Sequence, residues 1–226
     1  MGIEERRARE FVRREGEILK SALQLFRGDD WQNVTVEQIA QHAEIGKGTV
    51  YKHFASKDEI YARLALDFQR AVVERIRRLP GDLSPAERVR AVLRIGWEAH
   101  LTSPELHRVV LYCGQSEFRS SLTPATVATF DAFERERREM LRAVIEQGIE
   151  RGQFRDGPAE ELLFGVQAAF WGAVQILWSG YLGDIDRERY LEKLTSFILA
   201  ALRYRPDADR GVPAASAHLS QSERPA

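Results

Sequence analysis

The chain has 226 residues, is 44% hydrophobic and carries a formal net charge of −1. That is ample apolar content for a packed core, and it excludes indiscriminate binding to nucleic acid, so any DNA affinity has to come from a local patch. A single cysteine, Cys113, excludes an internal disulfide and suits a reducing compartment, and the charged start MGIEERRARE is no secretory signal, so a cytoplasmic location is expected.

Residues 1–14 interleave Arg6, Arg7, Arg9, Arg13 and Arg14 with Glu4, Glu5 and Glu10. They read as a frayed, solvated start, although an arm of this kind can touch DNA backbone or minor groove. Residues 15–26 form an amphipathic helix whose Ile18, Ala22, Leu25 and Phe26 brace the next two helices; Gly28-Asp29-Asp30 ends it, and Trp31 covers a small three-helix core. Thr35, with Gln38 three positions later, is a capping box opening a short helix with Val36, Ile39, Ala40 and Ala43 on one face. A turn at 43–46 leads to a second short helix, 47–54, held by Ile45, Val50, Tyr51 and Phe54. Ser56 with Glu59 repeats the capping pattern. Two short helices around such a turn are a helix-turn-helix unit, whose second helix enters the major groove. That helix presents Lys47, Gly48, Thr49, Lys52 and His53 outward, and no acid occurs in residues 46–57. Lysine is scarce elsewhere in an arginine-rich chain, yet Lys47, Lys52 and Lys57 cluster here, as compact charges suited to phosphate. Gly46-Lys47-Gly48-Thr49 lacks the spacing of a nucleotide-binding loop.

Residues 57–79 continue as a long connecting helix with Ile60, Leu64, Phe68, Ala71, Val72 and Ile76 at spacings of three or four, ending at Leu79-Pro80-Gly81. Pro85 opens a helix toward Leu101, and Ser103-Pro104 opens another through Phe118. His100 and His107 fall on either side of that break, so they are not expected to share a face, and no metal site is expected. Residues 124–151 form a longer helix closed by Gly152. Residues 160–181 are apolar nearly all round, but the run 162–178 is interrupted by Gln167 and Gln175, which predicts a buried helix rather than a membrane span. Residues 187–204 carry one apolar stripe. Residues 206–226 lack periodic apolar positions and read as a disordered tail. With no strand-like alternation the fold class is all-α. No catalytic set can be assembled, Cys113 reads as a small buried residue, and no cofactor is implied. Trp97, His107, Leu111, Phe118, Phe130, Phe133, Gln167 and Trp171 are candidates to line a small-molecule cavity, mostly apolar with a few polar groups, with plain core as the competing reading.

The segment from Ile18 to Tyr61 resembles the DNA-binding half of the tetracycline-repressor (TetR) family. The resemblance is carried by Ile18, Ala22, Leu25 and Phe26, then Thr35-Val36-Glu37-Gln38-Ile39-Ala40, Lys47-Gly48-Thr49-Val50-Tyr51-Lys52-His53-Phe54 and Ser56-Lys57-Asp58-Glu59. The family usually has Gly-Val-Ser where this chain has Glu44-Ile45-Gly46; a left-handed backbone at Glu44 would cost roughly 1 to 2 kcal/mol. The family also has Gly before the aromatic where this chain has Asp30-Trp31. The resemblance implies an N-terminal three-helix helix-turn-helix domain (1–57) and a C-terminal helical domain for effector binding and dimerisation (58–205). It implies double-stranded operator DNA as partner, with Thr35, Tyr51, His53 and Lys57 at phosphate and Lys47, Gly48 and Thr49 nearest base edges, Lys52 lying beside them. It further implies a homodimer, paired through helices 160–181 and 191–202, and release by a small apolar or aromatic effector. A helical enzyme is disfavoured by the missing catalytic set, and a non-DNA adaptor by the acid-free 46–57 face.

Overall fold

The computed structural model describes residues 2–181 and 183–204; the tail expected at 206–226 lies outside them. Among the described residues there are ten α-helices and a short 3-10 turn, with no strand, as the periodicity predicts. α1 is Ile3–Leu25, followed by the turn Trp31–Asn33, α2 (Val36–His42), α3 (Lys47–His53) and α4 (Lys57–Arg77). Then come α5 (Pro85–Thr102), α6 (Pro104–Cys113), α7 (Ser116–Ser120), α8 (Pro124–Glu150), α9 (Ala159–Ser179) and α10 (Arg187–Arg203).

Two departures from the sequence reading have local causes. α1 begins at residue 3 rather than near 15, because the charged start is helix-patterned: Arg13 pairs with both Glu10 and Glu17, and Arg14 with Glu17 at 2.9 Å, at spacings of three and four. The helix expected to run from 103 through 118 stops at Cys113, where the Gly114 amide is shared between the carbonyls of Val110 and Leu111 and the chain turns into α7.

The apolar core does not part at residue 57. One cluster runs from Ile18, Phe26 and Trp31 through Ile39 and Val50 into Ile60, Tyr61 and Leu64 of α4, and on to Phe118, Phe130 and Phe133. A second joins α5, α8, α9 and α10 around Trp97, Ile145, Phe154, Val174 and Leu199. Where the first three helices meet the remainder, the rings of Phe26, Trp31, Tyr61 and Tyr112 interlock at centroid distances of 4.6 to 6.3 Å, and the buried Tyr61 hydroxyl donates to the Trp31 carbonyl at 3.2 Å. Arg108 of α6 donates to the Phe26 and Arg27 carbonyls at 3.1 and 3.2 Å, closing the C-terminal end of α1. Ser56 caps α4 as expected, but Glu59 does not complete the box. Its carboxylate instead accepts from the Thr123 amide (2.7 Å) and the Thr126 hydroxyl (2.6 Å), tying the first turn of α4 to the start of α8.

α9 is long and apolar enough to cross a membrane by length and composition. It packs here with Leu162, Leu163, Ala173, Val174 and Leu177 buried, but its other side stays open, with Phe164 74% exposed. Phe197 of α10 is 68% exposed.

In the second cluster Gly148 allows α8 to fold back on its own exit loop: a β-carbon there would sit 2.0 Å from the ring of Phe154, which is fully buried. Gly148→Ala therefore has to push Phe154 out of place, and an overpacking loss of about 1 to 3 kcal/mol is expected. Thermal unfolding of the variant beside wild type measures it; an unchanged midpoint would show that the loop yields freely.

Candidate DNA-reading face and effector cavity

The two short helices are held from below and marked at their ends. Ile39 and Val50 are fully buried, and the Thr35 hydroxyl accepts from the Gln38 amide while the Gln38 side-chain oxygen accepts from the Thr35 amide, completing the expected box. Between them Glu44 has φ 54°, the left-handed turn that the departure from glycine implied. The Ile45 amide closes the turn on the Ala40 carbonyl at 3.0 Å.

Lys47, Gly48, Tyr51 and Lys52 are exposed on α3, Thr49 is half-buried, and Thr35 is exposed at the start of α2. A β-carbon at Gly48 would meet nothing within 4 Å, so this point of the helix is open for close approach. Lys47 lies 3.6 Å from Glu37 of α2, an acid that the acid-free count over 46–57 could not include. Two residues differ from their expected placing. His53 does not face outward: its side chain is only 7% exposed, tilted against the Phe11 ring at 4.1 Å with Glu15 4.0 Å away, because the extended α1 runs past the end of α3. Lys57 donates to the Gln32 carbonyl at 2.5 Å and lies 5.5 Å from the Tyr61 ring; burial lowers its pKa. It fastens α4 to the 3-10 turn, with further N–H donors left for an anion.

A cavity of about 110 Å³, partly open to solvent, lies between α4, α5, α8 and α9. Phe68, Val72 and Ile76 of α4, Leu93 of α5, Met140 of α8 and Phe170 of α9 give it an apolar wall, and Gln69, His100, Arg137 and Gln167 are its polar groups. Of the eight sequence candidates only Gln167 and Trp171 line it. Trp97 lies behind the wall, stacked on Phe170 at 5.9 Å and donating to the Phe170 carbonyl. Leu111 is half-buried on α6 outside the wall, and Phe118, Phe130 and Phe133 fill the core beneath the reading helices. Aromatic content alone could not separate a wall from a core.

His107 is also behind the wall, and it meets His100 after all. The break at Ser103 folds α6 back so that the two buried rings face each other, Nδ1 to Nδ1 at 3.2 Å. One nitrogen must donate and the other accept, so at least the accepting ring is neutral. Burial pushes both pKa values down to about 4, and for His100 the neighbouring His107 and the Arg137 cation push the same way. The buried Nε–H of Arg137 and Nε2 of His107 have no hydrogen-bond partner among the described residues. Nothing in the spacing of the two histidines announced this pair. Among the described residues no group of three or more metal-binding side chains occurs, and burial raises the Cys113 thiol far above its usual range.

Comparison with known proteins places both halves. A model of bacterial regulatory proteins of the tetR family matches residues 18–64, and one of the tetracyclin repressor-like C-terminal domain matches residues 82–202. The HTH-type transcriptional repressor KstR2 of Mycobacterium tuberculosis is 26% identical over 191 residues, covering 84% of this chain and 92% of its own. The solved structure of that ketosteroid transcriptional regulator superposes with TM-score 0.65 at 25% identity, over 85% of this chain and 96% of its own. PfmR, a TetR family transcriptional regulator from Thermus thermophilus, gives TM-score 0.66 at 23% identity, over 82% of this chain and 98% of its own.

The two lysines at the ends of α3 and the start of α4 should behave differently. Lys52→Ala should lower the salt dependence of DNA binding by about one ion and leave folding intact, whereas Lys57→Ala should lose stability as well, because its amine also holds the Gln32 carbonyl. Binding titrations over a salt series beside urea unfolding separate the two; equal stability of both variants would contradict the fastening role. The histidine pair makes stability depend on pH. The folded histidines titrate near 4 and unfolded ones near 6.5, so in that window the unfolded chain binds more protons, and stability falls as pH drops from about 6.5 toward 4. Urea unfolding at pH 7.5 and pH 5 should show the loss, and His107→Asn should reduce it.

Proposed function

Because the chain belongs to the tetR family of bacterial regulatory proteins, which are DNA-binding transcriptional regulators rather than enzymes, we propose that it is a repressor released from its operator by a small apolar or aromatic molecule. The observation that carries this reading is the double membership of α4. Its first turns, with Ile60, Tyr61 and Leu64, belong to the core under the reading helices, and its later turns, with Phe68, Val72 and Ile76, line the cavity. An occupant that alters the tilt of α4 moves the reading helices with it. α6 offers a second connection, since His107 touches His100 at the cavity while the next residue, Arg108, holds the Phe26 and Arg27 carbonyls.

The polar end of the cavity supports an effector with an oxygen acceptor on an otherwise hydrocarbon body. The Arg137 Nε–H can only donate, and it is buried without an acceptor beside His100. The likeness to KstR2 makes fused-ring ketones the compounds to try first. At the DNA, Thr35, Tyr51, Lys52 and Lys57 serve phosphate, and Lys47, Gly48 and Thr49 the base edges. The protein acts as a homodimer in the cytoplasm, with the exposed Phe164 and Phe197 covered by the same faces of a second subunit. A two-fold pair of reading heads requires a near-palindromic operator with half-sites roughly 34 to 36 Å apart, or a multiple of that.

An effector can act only through differential affinity, and a hundredfold preference for the DNA-free form is worth roughly 2.7 kcal/mol; operator then weakens effector binding by the same factor. Titration of fused-ring ketones and aromatic compounds, followed by tryptophan fluorescence with and without operator, is expected to show that loss. A cavity ligand with identical affinity in both conditions would remove the release mechanism. Phe197→Glu should yield monomers that bind DNA weakly, and a wild-type chain that sediments as a monomer at micromolar concentration would remove the dimer.

A further inference from the structure

The first seventeen residues precede the family match at 18–64, yet most of them are ordered as further turns of α1. From Ile18, the first fully buried position, the helix reaches back roughly 16 Å to Arg7. Phe11 fixes its course, because the Phe11 ring lies tilted against His53 at 4.1 Å and so docks the extension against the end of α3. Arg6, Arg7 and Phe11, spaced along one face of the helix, share an open cleft with Thr49 and His53 of α3. The arginines on this extension differ in their commitments. Arg13 and Arg14 pair with Glu10 and Glu17, and Arg9 donates to the Glu5 carbonyl. Arg6 and Arg7 form no side-chain hydrogen bond or ion pair among the described residues. Two free guanidinium groups therefore share a cleft with Thr49, a residue placed nearest the base edges. The cleft also holds Glu10, but that carboxylate is held by Arg13, whose hydrogen bond lowers its pKa.

We propose that the N-terminal extension of α1 is a second DNA contact, with Arg6 and Arg7 binding the sugar-phosphate backbone alongside the groove read by α3, and Phe11 and His53 positioning it. The cleft adjoins the reading face, its free charge has the sign a polyanion needs, and a rigid helix presents that charge with little ordering cost on binding. Backbone contact adds affinity and fixes register without adding base preference. His53 thus serves DNA binding through its packing rather than by reaching phosphate.

The test uses the full chain and an operator selected from a random DNA pool. Affinity is measured across a salt series for wild type, the Arg6→Ala/Arg7→Ala double variant, Arg9→Ala and Phe11→Ala, with circular dichroism to confirm that each keeps its helix content. The double variant is expected to lower the salt slope by about two ions and weaken binding at least about tenfold at low salt, with the selected base preference unchanged. Phe11→Ala should lose part of the same slope, and Arg9→Ala, whose side chain lies off the cleft, should leave it in place. An unchanged slope in the double variant would overturn the proposal. So would an equal loss in Arg9→Ala, which would reduce the effect to bulk charge. Failure of the wild type to select any DNA would count against the DNA-binding reading itself, a result the variants do not share.

Discussion

The joint between the reading helices and the rest of the molecule depends on one buried hydroxyl. Tyr61 stands on α4 among Phe26, Trp31 and Tyr112, and its O–H would be an unsatisfied donor in that apolar setting if it did not reach the Trp31 carbonyl. Burial raises its pKa well beyond the usual phenol range, which keeps the donor in place at any ordinary pH. Arg108 works at the same joint from α6, where it covers carbonyls that the end of α1 leaves open. These contacts join the head directly to α4 and α6.

The cavity obeys a related rule. A hydrocarbon wall contributes affinity for almost any apolar body, so selectivity has to come from the few polar atoms that the wall leaves without partners. The histidine pair sharpens this. Each ring is neutral, so each has a definite tautomer, and the direction of the hydrogen bond between them decides whether His100 offers the cavity a proton or a lone pair. His107, one layer back, thereby sets which hydrogen-bonding role His100 has left at the cavity.

Much of the fold was legible because local rules and tertiary demands agree. The capping box at Thr35, the break at Ser103-Pro104, the close at Gly152 and the amphipathic stripes are local signals, and the helices follow them. Even the left-handed Glu44 could be placed, since a turn of that length leaves the backbone little choice. What periodicity could not give was which way a half-exposed side chain leans. His53 and Lys57 sit at helix ends where two neighbours compete for them, and Phe11 and Gln32 are distant in sequence. The cavity suffered similarly: Phe118, Phe130 and Phe133 have the composition of a wall but fill the core under the head, while Phe68 and Val72, read only as a helix stripe, form the wall. The charged start was misjudged for a simpler reason, because its arginines and glutamates pair within their own helix and stabilise it.

The continuity of the first cluster from Ile18 to Phe133 ties the head to the body it sits on. In this chain a transplanted head would arrive without Tyr112, Phe118 and Arg108, leaving Trp31 and Tyr61 facing an unrelated surface. Substitution on the outer face of α3 leaves this packing untouched, whereas the buried residues of the head share one core with residues of α6 and α8.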